Sequence, residues 1–445
     1  MEKKVVTRFA PSPTGFLHVG GIRSALYSYL YARKHKGIFI LRCEDTDPIR
    51  SKKEYEEYFL EVFKWLGLGY DQYFRQSERT EIYKKYLNKL IEENKAYLSK
   101  EEVKEAGQRS EVIRLKNPNK IINFHDEVLG DLSFDTTELK DFVIARDLEN
   151  PLYHFTAVVD DFEMNVTHVI RGQEHVSNTP RQILIQEAIG APRPVYAHGS
   201  IILNEKRAKL SKRDPLVRPA LGYKEEGYQP KALLNFLALL GWNPGTPQEI
   251  FTFQELIEIF SLERMQKQSA IFNPEKLEWI NKEHIVKHLT KEDQLKKIEF
   301  FIPENIKRSE EYTERKIKLL LPLLVERITH FGQIREIFEK GELDFFFKKP
   351  TYEKEKLIYK NTPAEKISEN IARAIKELDK LKEKDFTNEN IKNTLMQMAN
   401  KLESRGELLH PVRYALSGLD KSPDPFTIAE ILGKNETLSR LQKAV

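Results

Sequence analysis

Val5-Val6-Thr7-Arg8-Phe9-Ala10-Pro11-Ser12-Pro13-Thr14-Gly15-Phe16-Leu17-His18-Val19-Gly20-Gly21 is the stretch whose reading decides the fold. Residues 5–9 are apolar and β-branched and are bounded by Pro11, which predicts a strand. A Pro/Gly-rich turn follows. Ile22, Ala25, Leu26, Tyr29 and Leu30 then recur at helical spacing, and Gly37 stops the helix. Residues 38–41 predict a second strand, running into Arg42-Cys43-Glu44-Asp45-Thr46-Asp47. Tyr55, Phe59, Val62, Phe63 and Leu66 mark the next amphipathic helix. Strand, crossover helix, strand is the βαβ unit of a parallel sheet.

Working outward, residues 99–150 are mixed, with strand-like runs at 112–115 and 142–145, and read as an insertion between two halves of the sheet. Val158-Val159-Asp160-Asp161 and residues 166–171 return to strand character, and residues 179–189 are helical. Residues 195–203 lead into a dense cationic loop, Lys209-Leu210-Ser211-Lys212-Arg213. From Pro230 onward the pattern is nearly all helical. Residues 232–240 form one strongly apolar helix, broken by Gly241-Trp242-Asn243-Pro244-Gly245, and later helices fall at 317–331 and 365–381. Pro411, Pro423 and Pro425 punctuate the last stretch. No repeat or low-complexity segment is evident.

The bulk numbers bound the answer. At 445 residues the chain suits roughly three domains. Charged residues at 31% and hydrophobic residues at 40% fit a globular protein rather than a disordered one. A net charge of +4 neither identifies nor excludes a polyanion binder. The single cysteine, Cys43, excludes an internal disulfide and any multi-cysteine metal site, which suits the reducing cytoplasm. No apolar run approaches the ~20 residues needed to span a membrane, and no apolar signal segment follows the N-terminus.

Two segments have the chemistry of triphosphate binding. A helix N-terminus offers free N–H groups and partial positive charge, Gly20 and Gly21 let backbone approach a nucleotide, and His18 supplies a hydrogen-bond donor. The alternative is an ordinary βα turn with a surface histidine. In the cationic loop, Lys212, supported by Lys209 and the Ser211 hydroxyl, meets the charge that phosphoryl chemistry spreads over oxygens; the alternative is a solvated surface. Glu44-Asp45-Thr46-Asp47 sits at the carboxyl end of a strand, where ligands of open parallel sheets bind; a carboxylate there suits an ammonium or magnesium ion, and the alternative is a capped loop. Arg8 and Arg171 lie in or beside apolar strands. Each either meets an acid of the protein or holds a substrate carboxylate.

In collinear order these segments resemble bacterial-type glutamyl-tRNA synthetases, a family of class I aminoacyl-tRNA synthetases. The resemblance runs from the first block through Leu41-Arg42-Cys43-Glu44-Asp45-Thr46-Asp47, then Tyr153-His154-Phe155 with Val158-Val159-Asp160-Asp161 and Ile170-Arg171-Gly172-Gln173-Glu174-His175. It continues through the lysine loop, Leu240-Gly241-Trp242-Asn243-Pro244-Gly245, Leu262-Glu263-Arg264 and Ala270-Ile271-Phe272-Asn273-Pro274-Glu275-Lys276-Leu277, to Pro411-Val412-Arg413-Tyr414-Ala415-Leu416-Ser417-Gly418. It implies an α/β fold: a Rossmann-type parallel-sheet catalytic domain with an α+β insertion, followed by helical stem-contact and all-α anticodon-binding domains. The implied boundaries are 1–83 and 157–205 for the two catalytic halves, 84–156 for the acceptor-stem insertion, 206–317 for the stem-contact region and 318–445 for the anticodon region.

The implied activity is ATP-dependent ligation of glutamate to tRNA(Glu) through a glutamyl-adenylate, with magnesium accompanying ATP and activation dependent on bound tRNA. The implied catalytic residues are His18, Lys209 and Lys212. Glutamate is met by Arg8, the Ala10 backbone, Ser12, Glu44, Tyr153 and Arg171, with Glu44 on the ammonium and the arginines on the carboxylates. ATP is met by His18, Gly20, Glu174, Ile202, Lys209, Leu210, Ser211, Lys212 and Arg213. A cytoplasmic monomer is expected. The departures are specific. Tyr97-Leu98-Ser99 stands where some relatives have a zinc-binding cysteine cluster, so no zinc is expected. Gln173 replaces a frequent acid, Ala157 occupies a variable pocket position, and Asp214-Pro215-Leu216 replaces the usual His-Gly after the lysine loop. Charging of tRNA(Gln) with glutamate is the alternative activity; a silent tRNA-binding paralogue would have no need of His18, Glu44, Lys209 and Lys212.

Overall fold

The structure, a computed structural model, describes residues 4–101, 111–210 and 218–445. The chain divides into two compact units, Met1–His284 and Ile285–Val445.

The first unit opens with the expected alternation. Strand β1 (Val6–Phe9), helix α1 (Val19–Lys34), β2 (Ile38–Cys43), α2 (Lys53–Leu66) and β3 (Gln72–Arg75) form a parallel sheet ordered β1-β2-β3. Val6 stands opposite Ile38 and Phe9 opposite Leu41. Helix α1 buries Ile22, Ala25, Leu26 and Leu30 completely, and Ile22, Leu26 and Leu30 each contribute about 1.5–3 kcal/mol. Gly37 is needed at the return to β2, because a Cβ there would lie 2.3 Å from the Val5 carbonyl oxygen.

Next come α3 (Thr80–Glu92), β4 (Ala96–Lys100), β5 (Glu111–Leu115), β6 (Ile121–Asp126), β7 (Gly130–Asp135) and β8 (Phe142–Ala145). Strands β4, β5 and β8 make a separate antiparallel sheet. The chain then returns through α4 (Tyr153–Glu163), β9 (His168–Gly172), α5 (Thr179–Ile189) and β10 (Val195–Gly199). The second sheet runs β7-β6-β10-β9, parallel at β6–β10 and β10–β9 and antiparallel at the β6–β7 hairpin. β6 belongs to the stretch read as an insertion, yet it pairs with the parallel sheet at Tyr196–Asp126. The two sheets meet where Thr167 donates its N–H to the Val6 carbonyl at 2.9 Å and Val6 donates to Thr167 Oγ1 at 2.8 Å.

Val158-Val159-Asp160-Asp161 is not strand; it is the middle of α4. Residues 155–160 are all buried, so this helix shows no periodic polar face to set against its β-branched pair. Residues 166–171 are also only partly strand, since β9 begins at His168.

The remainder of the first unit adds helices Ala220–Glu225, Pro230–Leu239 and Phe253–Ile259, and a short parallel pairing of Ile202–Leu203 with Ala270–Ile271. Trp242 is fully buried and donates its indole N–H to Ser261 O at 3.1 Å.

The second unit is helical among the described residues, including Glu314–Arg327, Ala364–Asp379, Asn388–Ala399, Gly406–Ser417, Pro425–Leu432 and Lys434–Gln442. Its core joins Leu320, Leu324, Ile371, Leu395, Leu416 and Ile428. The helix expected to reach residue 331 ends at Arg327, and the one expected at 365–381 spans Ala364–Asp379. Pro411 does not end a helix: it is buried inside Gly406–Ser417, where packing overrides the missing donor. Pro425 instead starts one, at its first position behind the Asp424 cap.

Candidate active site

The carboxyl ends of β1, β2 and β9 open on one cavity of about 510 Å³. The Pro/Gly turn forms one wall. It is pinned to the segment after β2 by Glu44 N donating to Pro11 O at 3.0 Å and Lys52 N donating to Pro13 O at 2.9 Å. His18 caps α1: its Nδ1 accepts from Gly20 N at 3.2 Å, which leaves the proton of a neutral ring on Nε2. No acid occupies the first turn of α1, so its partial positive charge is not offset locally. Both glycines line the cavity, but their immediate neighbours are protein. A Cβ on Gly20 would lie 3.2 Å from the His18 ring, and one on Gly21 would lie 2.5 Å from Leu17.

Every described residue of the expected site lines this cavity: Arg8, Ala10, Ser12, His18, Gly20, Glu44, Tyr153, Arg171, Glu174, Ile202, Lys209 and Leu210. Ser211, Lys212 and Arg213 lie outside the described residues. Lys209 is held by a tight turn, in which Leu210 N donates to Ile202 O at 2.9 Å and Ala208 O accepts from Asn204 N at 2.9 Å. Arg23, Ser24 and Ile201, which carry no sequence motif of their own, also face the cavity, as do Ile170 and His175, quoted above only as motif neighbours of Arg171.

The two arginines have different partners. Arg8 Nε donates to Asp161 Oδ1 at 3.2 Å. The same carboxylate accepts from Arg42 Nη1 at 2.7 Å, and Arg42 Nη2 donates to Glu44 Oε1 at 3.0 Å. Arg42 is wholly buried, and its Nε stands 3.8 Å from Asp160. Asp160 accepts from Arg79 Nε at 2.7 Å, Gln76 Nε2 at 2.8 Å and the Tyr83 hydroxyl at 2.8 Å. Three guanidinium groups thus balance three carboxylates behind the β1–β2 side. Burial would raise the Asp161 pKa, but Arg8 and Arg42 outweigh it and hold the group below the usual carboxylate range. For Glu44 burial wins over Arg42, and its pKa is raised.

Arg171 is different. Its partners are neutral: His198 Nε2 at 3.1 Å, Gln182 Oε1 at 2.7 Å, Thr179 Oγ1 at 2.9 Å and His175 O at 3.4 Å. Among the described residues no carboxylate pairs with it, though it is only 8% exposed. Burial accordingly pushes its pKa down. Burial also pushes the pKa of His175 and of His154 to about 4 and raises that of Tyr153.

Among the described residues no group of three or more His, Cys, Asp or Glu side chains could hold a metal ion, and no helix is long and apolar enough to cross a membrane.

A split parallel sheet with a helix-capping histidine facing a lysine turn across one cavity defines the class I synthetase architecture, and the comparisons agree. The family model described as the catalytic domain of class I tRNA synthetases (E and Q) matches residues 4–106 and 98–279, and that of an anticodon binding domain matches residues 282–445. The chain is 39% identical to a glutamate–tRNA ligase of Thermodesulfovibrio yellowstonii over 99% of both chains. It is 47% identical to that of Aquifex aeolicus over 62% of this chain and 66% of the relative. The crystal structure of a glutamate tRNA ligase from Elizabethkingia meningosepticum, in complex with its amino acid, superposes with a TM-score of 0.87 at 32% identity over 99% of each chain. The chain belongs to the glutamate–tRNA ligase family.

Proposed function

We propose that the cavity holds glutamate and ATP together, and that the chain joins them before passing the glutamyl group to tRNA. The activity is ATP-dependent ligation of glutamate to the 3′ end of tRNA, as in its family. One observation carries the assignment of the site. Glu44 and Arg171 are buried groups of opposite sign, each pushed by burial towards its neutral form, and not paired with one another. An ammonium beside Glu44 and a carboxylate beside Arg171 relieve both penalties at once, and glutamate carries both groups.

In this reading Arg8 and Arg171 take the two substrate carboxylates, Glu44 takes the ammonium, and Ser12, Tyr153 and the Ala10 backbone complete the glutamate pocket. His18, Gly20, Glu174, Ile202, Lys209, Leu210, Ser211, Lys212 and Arg213 hold ATP, with magnesium accompanying its phosphates. A glutamate α-carboxylate oxygen attacks the α-phosphorus, the bond to the bridging oxygen breaks, and pyrophosphate leaves. His18, Lys209 and Lys212 meet the charge that develops on the phosphate oxygens. The terminal ribose hydroxyl of tRNA then attacks the adenylate carbonyl, loses its proton, and AMP departs. Catalysis is positioning and charge stabilisation, with no covalent enzyme intermediate.

Residues 84–156 and 206–317 are assigned to the acceptor stem and its flank, and 318–445 to the anticodon. The proposed form is a cytoplasmic monomer acting on tRNA(Glu). Aminoacylation of purified tRNA(Glu) and tRNA(Gln), each with glutamate and with glutamine, tests the substrate assignment. Comparable glutamate transfer to tRNA(Gln) would replace it with the alternative activity. Lys212→Ala is expected to abolish most glutamate activation in single-turnover adenylate assays while leaving tRNA affinity nearly intact. Unchanged adenylate formation would remove Lys212 from the site.

A further inference from the structure

Arg171 is held from behind by a chain that begins in the β6–β7 hairpin. Asp126 ends β6, is fully buried, and uses its two oxygens differently. Oδ1 accepts from Val128 N at 3.0 Å, Leu129 N at 2.9 Å and His198 N at 3.3 Å, whereas Oδ2 lies 2.6 Å from His198 Nδ1. An ionised carboxylate offers no hydrogen, so Nδ1 is the donor of that pair. A neutral ring protonated on Nδ1 keeps Nε2 as an acceptor. Nε2 faces Arg171 Nε, which can only donate, at 3.1 Å. The contacts are therefore mutually consistent for one tautomer and one charge state of His198. The other tautomer, or the imidazolium, turns an N–H towards Arg171 Nε and leaves it only the Thr179 hydroxyl, 3.3 Å away, as an acceptor.

We propose that Asp126 and His198 are positioning residues for glutamate binding: the aspartate fixes the histidine tautomer, and the histidine fixes the Arg171 guanidinium that receives a substrate carboxylate. This rests on the assignment of Arg171 to glutamate made above. The geometry also ties the pocket to the inserted hairpin, because Asp126 is the residue at which β6 meets β10 in register. The charged and titratable groups around His198 are Asp126, Arg171 and the Tyr196 ring stacked on it, with Arg8 and His175 further off. Burial and the two arginines disfavour the imidazolium, and Asp126 opposes them; the net direction is towards the neutral ring.

Asp126→Asn tests the tautomer directly. Three backbone donors keep the side-chain oxygen at the Oδ1 position, so the amide nitrogen falls at Oδ2, donates to Nδ1 and drives the ring proton onto Nε2, against Arg171. In pyrophosphate exchange with tRNA present, KM for glutamate is expected to rise about 10-fold, with KM for ATP within about twofold of the parent. His198→Leu is expected to do the same. His198→Gln can donate to Asp126 and accept from Arg171 without ever being protonated. It should recover most of the loss and flatten the rise in KM for glutamate expected of the parent as pH falls below 6.5, the ordinary imidazole value. Glu44 titrates in both proteins, so their difference isolates the histidine. Arg171→Met is the reference. If it leaves KM for glutamate unchanged, the assignment of Arg171 to the substrate falls. If it raises KM while Asp126→Asn and His198→Leu do not, the relay falls and that assignment stands. His198→Gln matching His198→Leu, with the pH profile of the parent, would also overturn the relay.

Discussion

On the β1–β2 side of the cavity, Arg8 and Arg42 share Asp161, Arg42 reaches Glu44, and Arg79 answers Asp160. On the β9–β10 side, Arg171 is surrounded by His198, Gln182 and Thr179, all neutral. The first side is balanced within the protein. The second carries a buried cation with no carboxylate partner among the described residues. The difference separates two jobs that a list of arginines would merge: Arg42 is scaffold that aims Glu44, with Arg8 tied to the same Asp161, whereas Arg171 is kept uncompensated at a cost to the free protein.

Breaking the first side should cost the most stability. Asp161→Ala leaves Arg8 and Arg42 without their shared carboxylate, and Arg42 has no water to turn to. Loss of about 3–5 kcal/mol in urea unfolding is expected for the removal of one partner from a buried pair. A loss under about 1 kcal/mol would mean that the network is not a unit. On the second side the expectation reverses. Arg171→Met removes an uncompensated charge and fills similar volume, so stability should stay within about 1 kcal/mol of the parent. KM for glutamate should nevertheless rise on the order of 100-fold, as charge-assisted bonds to a carboxylate are lost. Equal destabilisation by the two substitutions would erase the contrast.

Arg42→Lys sharpens the comparison further. Separate nitrogens of the guanidinium reach Asp161 at 2.7 Å and Glu44 at 3.0 Å. One ammonium lacks that planar fork, so about 1–2 kcal/mol of stability should be lost, with a smaller rise in KM for glutamate than Arg171→Met gives. Retention of both properties would show that charge alone, not the fork, holds Glu44.

Much of this was legible in the chain. The opening strand, turn and helix carry separable signals: β-branched residues, then Pro and Gly, then apolar residues at helical spacing. Arg8, Glu44 and Arg171 are legible from the strand ends they lie in or just beyond, whereas Ser12, Tyr153, Glu174 and Ile202 come only with the resemblance. What stayed hidden depended on α4. With Val158-Val159 read as strand, Asp160 and Asp161 alternate across a sheet. As a helix buried on all sides, α4 sends Asp161 to Arg8 and Arg42 and Asp160 to Arg79 and Tyr83. Local propensity cannot show that, because tertiary burial chose the helix. His198 and Asp126 were hidden for another reason. They lie 72 residues apart, and only the register of β6 on β10 brings them together.

Acid should separate the two sides with the smallest effect per group. Burial holds the pKa of His154, His168 and His175 near about 4, below the 6.5 of a free imidazole. A group depressed in the folded state contributes stability that is complete above its unfolded pKa and is lost as pH falls towards the folded value. The loss from these histidines therefore runs from pH 6.5 down to about 4. Asp161 obeys the same sign rule, but its reference pKa is 3.8 and its folded pKa is lower still, so the β1–β2 side keeps its contribution until below that range. Hydrogen exchange followed from pH 7 to 4.5, after correction for the intrinsic rate, should show protection falling first at β9 and around His175, while β1 and β2 hold. Uniform loss across both sheets would mean that the two sides unfold as one body, and that the charge balance behind Arg8 confers no separate resistance to acid.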